Sequence, residues 1–155
     1  MNLDEIINYR QVSDRIASSG QPEKQQFEWI ASAGYEAVVN LSMPDSENAL
    51  ADEGSVVSCL KMIYVHIPVP FDAPQRRHLS LFLQFMSALS GQRVWVHCAL
   101  NYRVSAFLYQ YWRLSLGASP EQAQQVMLPT WKPDSVWRQF MSIEVDEAER
   151  PVQVP

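Results

Sequence analysis

Along the chain, apolar positions switch repeatedly between a period of two and a period near 3.6, the signatures of strand and helix. Residues 13–19 are read as extended. Residues 35–41 (YEAVVNL), 62–69 (MIYVHIPV) and 93–97 (RVWVH) are short β-prone runs. Pro68 and Pro70 end the second of these, because proline cannot donate to a sheet ladder. The run 93–97 has apolar residues on both faces, as expected of a buried parallel strand. Between the runs, Phe27, Ile30 and Ala31 share one helical face, with Pro22 suited to the first turn and Gly34 to closing the helix. Leu79, Phe82, Leu83 and Met86 mark a second helix ending near Gly91. Val104, Phe107, Leu108 and Tyr111 mark a third, apolar nearly all round and therefore central. Residues from about 46 to 60 are also predicted helical, although Gly54 interrupts them.

Further on, Ser119-Pro-Glu-Gln122 has capping-box spacing with proline at the first helical position. A last helix starting near Asp134 carries Val136, Trp137 and Phe140. Strand and helix alternate first, and helices follow. The class predicted is α/β, with a mainly parallel central sheet flanked by helices and a helical C-terminal part. No repeat or low-complexity tract breaks the chain, so residues 1–150 are read as a single domain and 151–155 as an extended tail.

Composition narrows the function classes. A net charge of −5 argues against a broad nucleic-acid or anionic-membrane surface, while leaving room for one basic cleft. The N-terminal residues carry early acidic groups and no long apolar run, and no segment is long enough to span a bilayer. The two cysteines, Cys59 and Cys98, form no CxxC pair and the histidines do not cluster, which excludes a disulfide framework and disfavours structural zinc. The expected compartment is a reducing cytoplasm.

Chemistry concentrates in residues 94–106, VWVHCALNYRVSA. A buried strand ends in His97-Cys98, a short turn follows, and a buried helix begins. Cys98 is therefore expected below the positive end of a helix, facing a ring of backbone N–H groups. Such a setting binds oxyanions and favours a nucleophilic thiolate.

These residues resemble the signature of the protein-tyrosine and dual-specificity phosphatases: His-Cys, five residues, Arg, then Ser or Thr. Upstream, Ser19-Gly-Gln-Pro22, Gly34-Tyr-Glu-Ala-Val-Val-Asn-Leu41 and the strand around Tyr64 look like a bacterial family of unknown function related to the dual-specificity enzymes. The resemblance spans roughly residues 10–115, and it implies the phosphotyrosine-phosphatase-like fold. One departure matters. Only four residues separate Cys98 from Arg103, yet Ser105 keeps the family's place seven positions after the cysteine. The loop then has unchanged length, with the arginine one step early and Val104 in its usual place. Asn101 falls where the family has glycine, and asparagine tolerates a left-handed backbone there. One helical step turns a side chain by roughly 100°, so the bidentate grip of Arg103 on phosphate is not assured.

By that resemblance the chain hydrolyses a phosphomonoester, phosphotyrosine-like, through a phosphocysteine. Cys98 is the nucleophile, and Asp72, on the loop after the preceding strand, is the general acid. Ser105 hydrogen-bonds the sulfur, and His97, Ala99, Leu100, Asn101, Tyr102, Arg103 and Val104 complete the anion site. The partner is a phosphate-bearing substrate or oxyanion, and no metal or organic cofactor is implied, since a thiolate and an aspartate suffice. Two alternatives stand. A Cys, four residues, then Arg also resembles rhodanese-like sulfurtransferases, although Val104 intervenes before their usual Ser or Thr. The same cradle could equally bind a phosphorylated partner without turnover.

Other residues have plainer readings. His97 fixes the loop by hydrogen bonds. Tyr102 either walls the pocket or faces solvent. Asp134, in Trp131-Lys-Pro-Asp134, superficially looks like the acid loop of larger tyrosine phosphatases but is read as a helix N-cap. Cys59 is read as a buried bystander, with a protective disulfide to Cys98 as the alternative. His66 is expected in a strand and His78 on a helix surface.

Overall fold

The structure, a computed structural model, describes residues 1–145. The predicted tail at 151–155 lies outside the described residues. Five strands form one sheet: β1 (Arg10–Gln11), β2 (Ile16–Ser19), β3 (Ala37–Asn40), β4 (Ile63–His66) and β5 (Val94–His97). Their order is β1-β2-β5-β3-β4, parallel throughout except for β1, which pairs antiparallel at one edge. Helices α1 (Lys24–Ser32), α2 (Glu53–Cys59), α3 (Arg76–Ala88), α4 (Tyr102–Gln110), α5 (Pro120–Gln124) and α6 (Ser135–Met141) cover the two faces.

Alternation along the strands divides the core. Val94 and Val96 of β5, with Ala37 and Val39 of β3, face the larger cluster with Leu79, Phe82, Leu83, Phe107, Trp137 and Phe140. Trp95 and Val38 point the other way, onto Phe27, Ile30 and Val57 of α1 and α2. Trp95 is fully buried between the stacked ring of Tyr9, 5.3 Å away, and the edge-on ring of Tyr35 at 5.1 Å. Its indole N–H donates to Ser19 Oγ at 2.8 Å, so the polar handle is satisfied. All four residues of β5 are buried, which makes it the central strand that the apolar run predicts.

Four expectations need correction. Of the helix expected over 46–60, only α2 forms. Pro44, Asp45, Ser46 and Asn48 belong to turns before it, residue types whose local geometry competes with a helix. Pro22 lies outside the first turn of α1, since Glu23 is the N-cap and carries the capping box with Gln26. Cys59 is exposed, not buried, and both cysteines are free thiols. His78 is buried, not on the helix surface, because its Nδ1 accepts from the backbone N–H of Gln75 and caps α3. The strand β1 and the short 3-10 turn Leu3–Glu5 were too brief to show a period. As predicted, Gly34 closes α1 with a φ of 93°, and His66 ends the edge strand β4. Among the described residues, no helix is long and apolar enough to cross a membrane.

The parallel strands deliver their C-terminal ends to one side of the sheet, where open α/β folds place ligands. There the backbone of Gly20 passes against the segment after β5, and Gln21 N–H donates to Ala99 carbonyl at 3.0 Å. A Cβ on Gly20 would lie 2.6 Å from Ala99 carbonyl oxygen and 3.1 Å from Leu100 Cα. Gly20→Ala is therefore expected to destabilise the protein by about 1–3 kcal/mol, read as a lower urea midpoint at unchanged slope, because backbone has to shift.

Candidate active site

β5 ends at His97 and α4 begins at Tyr102, with residues 98–101 making the turn between them. Asn101 takes the left-handed conformation expected of it, φ 71° and ψ 12°. Its amide donates to Asn8 carbonyl at 2.8 Å and to Ser18 Oγ at 3.1 Å.

The carbonyls of this turn are tied from outside. Cys98 carbonyl accepts from His97 Nδ1 at 3.1 Å. Ala99 carbonyl accepts from Gln21 N–H at 3.0 Å and Asn48 Nδ2 at 3.1 Å. Leu100 carbonyl accepts from Asn8 Nδ2 at 2.9 Å. In a trans peptide the C=O and the following N–H point in opposite directions. Holding each carbonyl outward turns the next N–H inward. The N–H groups of Ala99 and Leu100 follow that rule, and with those of Tyr102, Arg103 and Val104 in the first turn of α4 they donate to no acceptor among the described residues. Several converging main-chain donors at a helix start form an anion-binding concavity.

Cys98 is buried, 1% exposed, yet it lines a cavity of about 250 Å³ with Phe71, Ala99, Leu100, Tyr102 and Arg103. Arg103 brings a guanidinium into that lining although it stands a step early. Its guanidinium donates to Val69 carbonyl at 2.9 Å and sits 5.8 Å from the centroid of Phe71. Its buried Nε has no partner among the described residues, an unmet donor beside the cavity. Val104 is fully buried in the core.

Tyr102 resolves as a wall. Its ring lines the cavity and stacks on Trp131 at 5.4 Å and 4°. Phe71 and Leu100 complete an apolar rim, both about two-fifths exposed at 41% and 39%. Trp137 pins the Phe71 carbonyl through its indole N–H at 2.9 Å.

The remaining predicted residues fare differently. Ser105 Oγ donates to Asn101 carbonyl at 2.7 Å and accepts from Leu128 N–H at 2.9 Å, so its hydroxyl proton is engaged away from the sulfur. Asp72 follows Phe71 in an exposed turn and is not among the residues lining the cavity. Asp134 accepts from Trp137 N–H at 3.0 Å and is the N-cap of α6.

His97 holds the loop by a hydrogen bond, as the sequence reading has it, but that reading missed the groups that support it from behind. His97, fully buried, pairs through Nε2 with Glu53 Oε2 at 2.7 Å, and Glu53 is itself only 3% exposed. Gln21 Nε2 donates to the other carboxylate oxygen at 2.6 Å. Burial pushes the Glu53 carboxyl up, but the His97 charge and the hydrogen bonds from His97, Gln21 and Tyr64 outweigh it and hold it below the ordinary value. Tyr64, in turn, is pushed up by burial and by the Glu53 charge. Gln21, inside Ser19-Gly-Gln-Pro22, and Tyr64 stood in segments that drew attention, but without this role. Asn8, Asn48 and Glu53 look like ordinary surface polar residues.

Comparison with known proteins bears on the family and the fold. Residues 4–139 match the family described as DSP-PTPase phosphatase fused to NAD+ kinase. A DUF442 protein from Shewanella putrefaciens CN-32 is 33% identical, with a TM-score of 0.80 over 90% of this chain and 91% of that one. The catalytic core of the PP-IP phosphatase SIW14 from S. cerevisiae, solved with citrate, is 13% identical, with a TM-score of 0.71 over 93% and 89%. TpbA from P. aeruginosa, solved as a Cys-to-Ser variant with pTyr, is 19% identical, with a TM-score of 0.63 over 82% and 74%. No curated protein matches significantly. The chain thus belongs to the phosphatase-like family of dual-specificity and tyrosine-phosphatase type, and it has that family's fold.

Two outcomes follow from these placements. Asp134→Ala should cost about 1 kcal/mol through loss of the cap and leave turnover of any substrate unchanged, checked by denaturant midpoint and rate. The lowered Glu53 carboxyl contributes stability that is present above the ordinary carboxyl value and lost as pH falls through its folded value. Glu53→Gln should therefore flatten the acid side of the stability–pH curve, followed by urea midpoints at several pH values.

Proposed function

We propose that the chain is a cysteine-dependent phosphatase that hydrolyses a phosphomonoester, phosphotyrosine-like, through a phosphocysteine intermediate. One observation carries this: Cys98 and Arg103 line one cavity, where the main-chain N–H groups of Ala99, Leu100, Tyr102, Arg103 and Val104 donate to no acceptor among the described residues. An unoccupied set of donors around a thiol suits an anion that the thiol attacks.

Cys98 thiolate attacks phosphorus, forming the P–S bond as the bond to the leaving oxygen breaks. Asp72 gives its proton to that oxygen. Water then attacks the phosphocysteine while Asp72 takes a proton from it, releasing phosphate and the thiolate. This role requires the exposed turn bearing Phe71 and Asp72 to close over the bound anion. The N–H groups of Ala99, Leu100, Tyr102, Arg103 and Val104, with the Arg103 guanidinium, hold the equatorial oxygens, Asn101 supplies the left-handed turn, and His97 braces it. Ser105 we assign to bracing the loop through Asn101 and Leu128. Phe71, Leu100 and Tyr102 suit an aromatic leaving group, because apolar and ring contacts reward a flat hydrophobic partner.

Binding without turnover is the second reading, favoured by the lack of any carboxylate in the cavity lining. Family membership weighs against sulfurtransfer.

The folded protein should hydrolyse an aryl phosphate such as p-nitrophenyl phosphate. Cys98→Ser should abolish turnover while keeping phosphate affinity, and Asp72→Asn should lower kcat about 10²–10⁴-fold. Phosphate binding with no hydrolysis across a broad phosphomonoester panel would establish the binding reading. Absence of both would defeat the assignment of the site.

A further inference from the structure

The anion cradle is only as good as the orientation of its peptide planes, and the first of them has an unusual support. The Cys98–Ala99 plane is fixed by His97 Nδ1 on the Cys98 carbonyl. The other nitrogen of that ring, Nε2, meets Glu53 at 2.7 Å. Both partners are acceptors, so the ring is held by donation at each end. A buried carboxylate is costly to place unless it is hydrogen-bonded, and this one is held by His97 and Gln21 behind the loop and by Tyr64. Glu53 is faced by Gln21 from the segment before α1, by Tyr64 from β4 and by His97 from β5. His97 is faced by Glu53 and by the edge-on ring of Phe27, 6.0 Å away. No basic side chain other than His97 hydrogen-bonds Glu53.

We propose that Glu53 is a positioning residue for the reaction: acting through His97, it fixes the Cys98–Ala99 peptide plane so that Ala99 N–H stays turned into the anion site. Gln21 joins it twice, since its side chain holds the Glu53 carboxylate and its backbone N–H holds the next carbonyl, that of Ala99. Glu53 touches neither substrate nor sulfur in this role. The inference rests on the reading of Cys98 as the centre of an anion site.

The sign of one measurement separates positioning from plain electrostatics. Removing a negative charge near an anion site strengthens anion binding if charge alone acts. Loss of positioning weakens it. Inorganic phosphate is titrated into wild type, Glu53→Gln, His97→Asn and the double variant, by calorimetry and by the amide resonance of Ala99. Glu53→Gln is expected to weaken phosphate about tenfold, the order of one charge-assisted hydrogen bond, and to blunt the phosphate-induced shift of the Ala99 amide. In the His97→Asn background, which no longer reaches Glu53, the same change should add no further loss.

Unchanged or tighter phosphate binding in Glu53→Gln would overturn the proposal, as would an equal loss in the His97→Asn background. If Glu53→Gln alone does not fold, the double variant, which buries no unpaired charge, is compared with wild type. Weakening of about tenfold supports the proposal, and wild-type affinity refutes it. Failure of the wild type itself to bind phosphate would instead remove the anion site, and with it the functional reading above.

Discussion

A peptide group is a rigid plane with a donor on one side and an acceptor on the other, and the site depends on that rigidity. A ring of inward N–H groups cannot exist unless the matching carbonyls are satisfied outside it. In this chain the outside partners are spread over the sequence: Asn8 before β1, Gln21 after β2, Asn48 after β3, and His97 with Glu53 of α2. The turn at 98–101 is thus clasped by the segment before β1 and by the segments that follow the parallel strands β2 and β3, and the sheet order brings the latter together beside β5.

Arg103 shows how local helix geometry and tertiary packing divide the work. Its backbone position is a residue early for the family pattern, and Val104 takes the core-facing place instead. The arginine still joins the cavity, because its long side chain folds back to Val69 carbonyl and over Phe71. The same contacts tie the strand-to-helix loop carrying Asp72 to the Cys98 cavity. Trp137 adds a second tie to Phe71 from α6, so the helical C-terminal part acts on the site as well as closing the core.

Aromatic packing gives the rim its character. Tyr102, Trp131, Trp137 and Phe71 form a connected set of ring contacts beside the cavity. Their interaction is short-ranged and shape-dependent, which stiffens the wall that an aromatic leaving group would meet. The cavity lining is mainly apolar, with the Arg103 guanidinium as a charged group within it, as small-ligand sites usually are.

Much of this was legible without coordinates. The short β-prone runs at β3 and β5, the amphipathic spacing of α3 and the capping box at Ser119 read directly as elements, because each depends on neighbours a few positions away. So did the cysteine at a strand-to-helix turn and the left-handed demand met by Asn101. The short helix α2, the edge strand β1, the burial of His78 and the exposure of Cys59 were not, since packing or an isolated side-chain bond settles them. The engagement of Ser105 with Leu128, the support of His97 by Glu53 and the exposed setting of Asp72 were likewise decided only in three dimensions. The sequence by itself determined which atoms could do chemistry, because that is a property of residue type and local turn. Which way those atoms point was left to contacts between residues tens of positions apart, and only the folded sheet brings them within hydrogen-bonding distance.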